Sequence, residues 1–310
     1  MNTRQTRSVV AVCLMAAFAD GRQDASEREH VRKVAESLSR ETAIDFVPLY
    51  QDVLLGRLGL ETAVEGLDTP ELRHLAFEMA VGVCEADGSH NPQETAFLDK
   101  LAGLLGLDRT RAETFVHEAE AVAESPVDGA VAEIPPAPAA NRADLDRMIL
   151  RAAILNGALE LLPQSMASMA IIPLQVRLVY RIGKTHGYEL DRGHIKDFLA
   201  TAGVGMTGQY VEQMGRKLVG GLLGKVFGGV GRAVGSQATG SAISFATTYA
   251  IGQVATRYYG EGRKLDAATL KATFAQMFEQ AKGLQTRHAG EIQEQARTLD
   301  LKKLTAELRA

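Results

Sequence analysis

Residues 198–259 limit what this chain can fold into more than any other stretch. They are laced with glycine: Gly203, Gly205, Gly208 and Gly215, then Gly220, Gly221, Gly224, Gly228, Gly229, Gly231, Gly235, Gly240 and Gly252. No charged residue falls between Ala233 and Thr256. Small side chains recur every fourth position at Ser236, Gly240, Ser244, Thr248, Gly252 and Thr256. That spacing stacks them on one face of an α-helix, where a second backbone can approach closely. Gly228-Gly229-Val230-Gly231 is the natural reversal point. The expectation is a helical hairpin with arms over about 208–227 and 233–259, packed on itself, on copies of itself or in lipid.

A membrane span needs about 20 predominantly apolar residues. The first arm carries Glu212, Arg216, Lys217 and Lys225, too many charges for an ordinary span. The second arm is uncharged, but Ser236, Gln237, Thr239, Ser241, Thr247, Thr248 and Gln253 leave it only mildly hydrophobic. Two readings stay open. One is a tightly packed soluble helix pair. The other is a membrane-apposed or conditionally inserted hairpin, with Lys225, Arg232 and Arg257 placed for anionic headgroups.

At 310 residues the chain has room for two domains. Its net charge of −4 hides a polarity: residues 1–123 hold 12 Lys/Arg against 21 Asp/Glu, and residues 144–310 hold 21 against 14. An acidic half and a basic half suit cation binding by one and contact with an anionic surface by the other, or docking of each on the other. Cys13 and Cys84 are the two cysteines, each in an apolar helical pattern, which predicts core thiols in a reducing compartment. Arg4 and Arg7 before 9–18 imitate a signal peptide, but the run is helically patterned and has no convincing cleavage site.

The N-terminal half repeats. Val9, Val10, Cys13, Leu14, Ala17 and Phe18 form one helical face before Asp20-Gly21. Val31, Val34, Ala35 and Leu38 lie on the following helix. At an offset of 67 residues, Leu72, Leu75, Ala76, Met79 and Val83 lead to Asp87-Gly88, followed by Phe97, Leu98, Leu101 and Leu105. Both turns read A-D-G-x-x-[DN]-x-x-E: Asp20, Asp24 and Glu27 in the first, Asp87, Asn91 and Glu94 in the second. The doubled helix–DG–helix pattern over about 5–122 resembles the TerB-like, tellurite-resistance-associated family. The resemblance implies an all-helical domain with an acidic, divalent-cation-binding surface, Ca²⁺ or another divalent ion. It places Asp20, Asp24, Glu27, Asp87, Asn91 and Glu94 as the candidate ligands. Asn91 departs from the first copy by one charge. Capping explains much of the same pattern. Asp24-x-x-Glu27 is a capping box, and Asn91-Pro92-Gln93-Glu94 combines an N-cap, a Pro at the first helical position and an acid at the third. Capping does not require an acid at both Asp20 and Asp87.

Residues 124–143 are Pro/Ala-rich and read as a flexible linker. Beyond it, Ile171-Ile172-Pro173-Leu174-Gln175-Val176-Arg177-Leu178-Val179-Tyr180-Arg181-Ile182 leads into His186-Gly187-Tyr188-Glu189-Leu190. With the Gly-rich hairpin, this motif makes about 148–260 similar to the YcjF-type domain. That is a family of unknown function often predicted to be membrane-associated and sometimes fused to GTPases. Arg177 and Arg181 are expected either on a basic face or as partners of Glu160 and Glu189.

Two phosphate motifs fail. Gly203-Val204-Gly205-Met206-Thr207-Gly208 lacks a preceding strand, and around Gly220–Lys225 Val219 and Val226 replace the Gly and the Ser/Thr that a P-loop needs. The seven histidines show no ligand spacing. No nucleophile and base are paired, so no catalytic residue is assigned. After Tyr259, Leu270, Phe274, Met277, Phe278, Ala281 and Leu284 line one amphipathic face, and Ile292, Ala296, Leu299, Leu304 and Leu308 another.

The chain therefore reads as all-α with two helical domains, the second bearing the Gly-rich hairpin. The boundaries are 1–123, linker 124–143, 144–264, and amphipathic C-terminal helices over 265–310. The expected role is non-enzymatic: a self-associating bacterial cytoplasmic protein, peripheral to or conditionally inserted in the inner membrane. Its expected partners are anionic lipid, further copies of the chain and a separate GTPase or stress-response protein, with no nucleic acid. The alternative is a wholly soluble oligomeric adaptor with its hairpins buried between subunits.

Overall fold

The computed structural model describes residues 2–19, 31–33, 35, 36, 39, 44–87, 91–128, 142–162, 165–204, 209, 211 and 233–309, with backbone alone at 87 and 233–239. Among these residues the chain is all-α, with fourteen α-helices and no strand. It divides into two compact units, Met1–Ala123 with Gly205–Gln237, and Glu124–Val204 with Ala238–Ala310.

The first unit is built on the repeat. Helix α1 is Thr3–Ala17, then come α2 (Val47–Leu54), α3 (Leu60–Val64), α4 (Pro70–Cys84), α5 (Pro92–Leu105) and α6 (Arg109–Ala123). α1 and α4 have the same length and start 67 residues apart, and they pack on each other. α1 is the buried helix of the unit: Val9, Val12 and Leu14 are at most 1% exposed, and α2, α3 and α4 all meet it. From Val9 to Ala17 its side chains are apolar all round and all but Met15 are buried, leaving no face for water there, while Arg4 and Arg7 in the first two turns stay exposed. Asn2 caps it through a capping box with Gln5; Thr69 accepts from the Leu72 amide at the start of α4, where Pro70 is the first helical residue. Cys13 and Cys84 are buried and form no disulfide, and burial pushes the Cys13 thiol up to about 12.

The second unit contains α7 (Arg142–Leu159), α8 (Ser165–Met169), α9 (Ile171–Thr185), α10 (Arg192–Thr201), α11 (Ala233–Gly260) from Ala238 onward, α12 (Ala267–Arg287), α13 (Ala289–Thr298) and α14 (Leu301–Arg309). α11 carries the small-residue ladder, and its partner is α7. A Cβ added at Gly252 would sit 2.7 Å from Ile149 Cγ1. One at Gly240 would sit 3.2 Å from Glu160 Cγ, and one at Gly157 would be 3.3 Å from the Ser241 carbonyl. The pairs 149/252, 157/241 and 160/240 run in opposite senses, so the two helices are antiparallel. Apart from residues 209 and 211, the expected first hairpin arm, 208–227, and its turn lie outside the described residues. Phe245, Ala246, Thr248, Ala250, Val254 and Ala255 are fully buried, so the uncharged character of this part of α11 serves a protein core. Among the described residues no helix is long and apolar enough to cross a membrane.

The amphipathic C-terminal helices cover this core. Ala281 of α12 and Ile292 of α13 join Ala153, Ala158, Phe245 and Ala246 in one cluster, with Phe278 and Leu284 packed against it. Arg177 departs from both expectations for it. It is 1% exposed, and its guanidinium donates to backbone carbonyls: Nε to Pro126 at 2.8 Å, Nη1 to Glu307 at 3.5 Å and Nη2 to Leu308. It thus caps the end of α14. Arg192 donates to the Ser125 carbonyl. These two arginines fasten residues 125 and 126, the start of the expected tether, to the second unit. Glu189 pairs instead with Lys184 at 2.6 Å.

Candidate functional site

The second acidic turn is built by the end of α4 and the start of α5. A single 3₁₀ turn, Glu85–Asp87, closes α4, and Asn91 opens α5. Asn91 Oδ1 accepts from the amides of Gln93 and Glu94 at 2.9 and 3.0 Å. Glu94 Oε2 accepts in return from Asn91 N at 3.2 Å and Asn91 Nδ2 at 2.8 Å. Both side chains expected to ligate a cation therefore act as a reciprocal cap, which occupies Asn91 Oδ1 and one Glu94 oxygen with hydrogen donors. Asp20, Asp24 and Glu27 lie outside the described residues, and so does the side chain of Asp87. No group of three or more His, Cys, Asp or Glu able to hold a metal is found among the described residues.

The same helix forms one wall of a larger feature. Between α5 and α6, above Phe77 of α4, lies a groove of about 690 Å³. Its floor is apolar: Phe77 and Leu98 are 4% and 3% exposed, and Ala112 lies beside them. Gly103 opens the α5 wall, and a Cβ placed there would meet nothing within 4 Å. The rim is charged. Asp99 stands on α5 and Glu113 and Glu120 on α6, with Arg109 2.7 Å from Glu113 and His117 3.4 Å from Glu120. Arg109 is held further above the usual guanidinium range by its hydrogen bond to Glu113 and by the Glu113 and Asp99 charges. With three carboxylates against one guanidinium and one imidazole, the rim is net acidic.

α5 was legible as an amphipathic helix, with Leu98, Leu101 and Leu105 inward. The groove was not, because α6 shows no strong pattern of its own. The Gly103 gap in α5, one turn from the αL cap at Gly106, was the one signal in the sequence.

The repeat, the paired α1 and α4 and the capped turn together mark the first unit, and the family model described as "Tellurite resistance protein TerB" matches residues 6–115. Residues 6–115 are matched as a TerB domain. No curated protein and no solved structure matches the chain. The TerB domain contains α1 to α5 and the start of α6. It therefore includes the acidic turn, the floor of the groove and its α5 wall.

Proposed function

We propose that the chain is a non-enzymatic recruitment protein of a tellurite-resistance-associated stress response. Its TerB domain takes up a helix of a partner protein, and its second unit rests against an anionic membrane surface. The groove between α5 and α6 carries the first part of this reading. An apolar floor of this size under a net acidic rim is complementary to an amphipathic helix with Leu-type anchors on one face and Lys or Arg on its edges. Titrating the full chain with a synthetic amphipathic Leu/Lys helix, and repeating the titration with Gly103→Arg, tests it.

The second part is supported by charge. Residues 144–310 carry seven more Lys/Arg than Asp/Glu, and exposed basic groups are attracted to anionic lipid by about 1 kcal/mol each near the surface. The described helices give no span, so the contact proposed is peripheral. The full chain is expected to sediment with phosphatidylglycerol vesicles at low salt, and to remain in the supernatant with phosphatidylcholine vesicles or at high salt. Sedimentation that is equal with both lipids, or absent with both, contradicts the membrane part.

A further inference from the structure

A surface loop normally offers polar side chains to the water around it. The loop between α2 and α3 does the opposite. Residues 53–60 read Val-Leu-Leu-Gly-Arg-Leu-Gly-Leu, with Arg57 as the single charge. The large apolar side chains left exposed among the described residues are Leu54 at 38%, Leu55 at 58% and Leu104 at 40%. Two of the three therefore belong to this tip. Its shape is fixed from within. The amides of Arg57 and Leu58 both donate to the Asp52 carbonyl, at 2.8 and 3.3 Å, and Gly56 takes the left-handed conformation (φ 64°) that the reversal needs. A Cβ at Gly56 would meet nothing within 4 Å, and Arg57 is exposed beside it. A fixed loop that holds two leucines in water marks a contact surface.

The groove over Phe77, Leu98 and Ala112 has the complementary chemistry, an apolar floor under an acidic rim of Asp99, Glu113 and Glu120. Neither leucine lines the groove of its own chain. Lys100, which does not line the groove either, is 2.8 Å from Glu61 in the first turn of α3, the helix that the tip leads into. Tip and groove thus lie on different sides of α5. We infer that the groove also takes the Leu54-Leu55-Arg57 tip of a second copy of this chain, with the leucines on the apolar floor and Arg57 against the acidic rim. The contact is heterologous, each copy offering its tip to one neighbour and its groove to another. The inference rests on the groove being a docking site, as proposed above, and adds its regulation: copies occupy one another's grooves until a partner helix displaces the tip.

Sedimentation equilibrium of the full chain tests it, with Leu55→Ser, Arg57→Glu and Gly103→Arg as variants, all three at exposed positions. The wild-type mass is expected to rise with concentration past two chains, with Kd on the order of 100 μM for so small a contact. Each variant is expected to weaken association at least about tenfold. An equimolar mixture of Leu55→Ser and Gly103→Arg keeps one sound groove and one sound tip per pair. It is expected to regain association and to stop at two chains. A saturating Leu/Lys helix is expected to return the wild type to single chains. A mass that never rises, association that the variants leave unchanged, or a mixture that stays as single chains overturns the inference. Peptide binding without self-association overturns it alone and leaves the partner helix standing. Self-association that the variants abolish, in a chain that binds no peptide, supports the tip contact and removes the partner helix.

Discussion

Arg177→Met lowers the thermal midpoint of the second unit by about 6–12 °C, equivalent to about 3 kcal/mol. The guanidinium is the largest fully buried side chain described. Its burial pushes the pKa down to about 10, helped by the like charge of Arg181, and it remains charged at neutral pH. The cost of burying it is offset by hydrogen bonds to three backbone carbonyls, two at the end of α14 and one at Pro126. Methionine fills similar space but leaves those carbonyls unmet, at about 1–3 kcal/mol for each fully buried one. Lysine keeps the charge but not the planar fork, so Arg177→Lys is expected to recover only part of the loss. Differential scanning calorimetry of the three proteins reads the effect. Limited proteolysis should release α14 earlier in the Met variant. Unchanged midpoints would mean that Arg177 does not hold the C-terminus.

The close approach of α7 and α11 is tested at its tightest point. In Gly252→Ala the new methyl would lie 2.7, 2.8 and 3.2 Å from Cγ1, Cγ2 and Cβ of Ile149. A β-branched side chain fixed in a helix cannot swing away, so overpacking costs about 1–3 kcal/mol. Ile149→Ala alone leaves a cavity and costs about 2–5 kcal/mol. In the double variant the added methyl enters that cavity, so the two costs are expected to fall short of additivity by at least about 1 kcal/mol. Simple additivity in urea unfolding would separate residues 149 and 252.

How much of this could be read from the sequence differs from element to element. α1 and α4 were legible because repetition states the same pattern twice, with Val9, Cys13 and Leu14 answered 67 residues on by Ala76, Ala80 and Val81. The cap at Asn91 was legible because its chemistry is local: Pro92 and Glu94 follow within three residues. The ladder on α11 announced a close approach but not the partner. Spacing records that a backbone comes near, and the partner α7 lies about 100 residues earlier in the chain. Arg177 escapes a sequence reading for the same reason. An arginine on an apolar helix looks like a surface charge until its acceptors, 51 and 131 residues away, are in place. Of the candidate cation ligands, Asn91 and Glu94 serve as caps.

The central claim is that the TerB domain recruits a basic amphipathic helix through the groove over Phe77, Leu98 and Ala112. Isothermal titration of the full chain with a 20-residue Leu/Lys helix tests it most directly, using a scrambled, non-amphipathic peptide and the Gly103→Arg variant as controls. The side chain introduced by Gly103→Arg would project into the groove without a clash, since nothing lies within 4 Å of the Cβ position. The substitution also removes a helical glycine, so the fold should gain rather than lose stability, by up to about 1 kcal/mol. The account predicts saturable binding with Kd on the order of 10 μM that weakens with salt, at least about tenfold weaker binding in Gly103→Arg, and none to the scrambled peptide. No binding by the wild-type chain, or equal binding by Gly103→Arg, would contradict it.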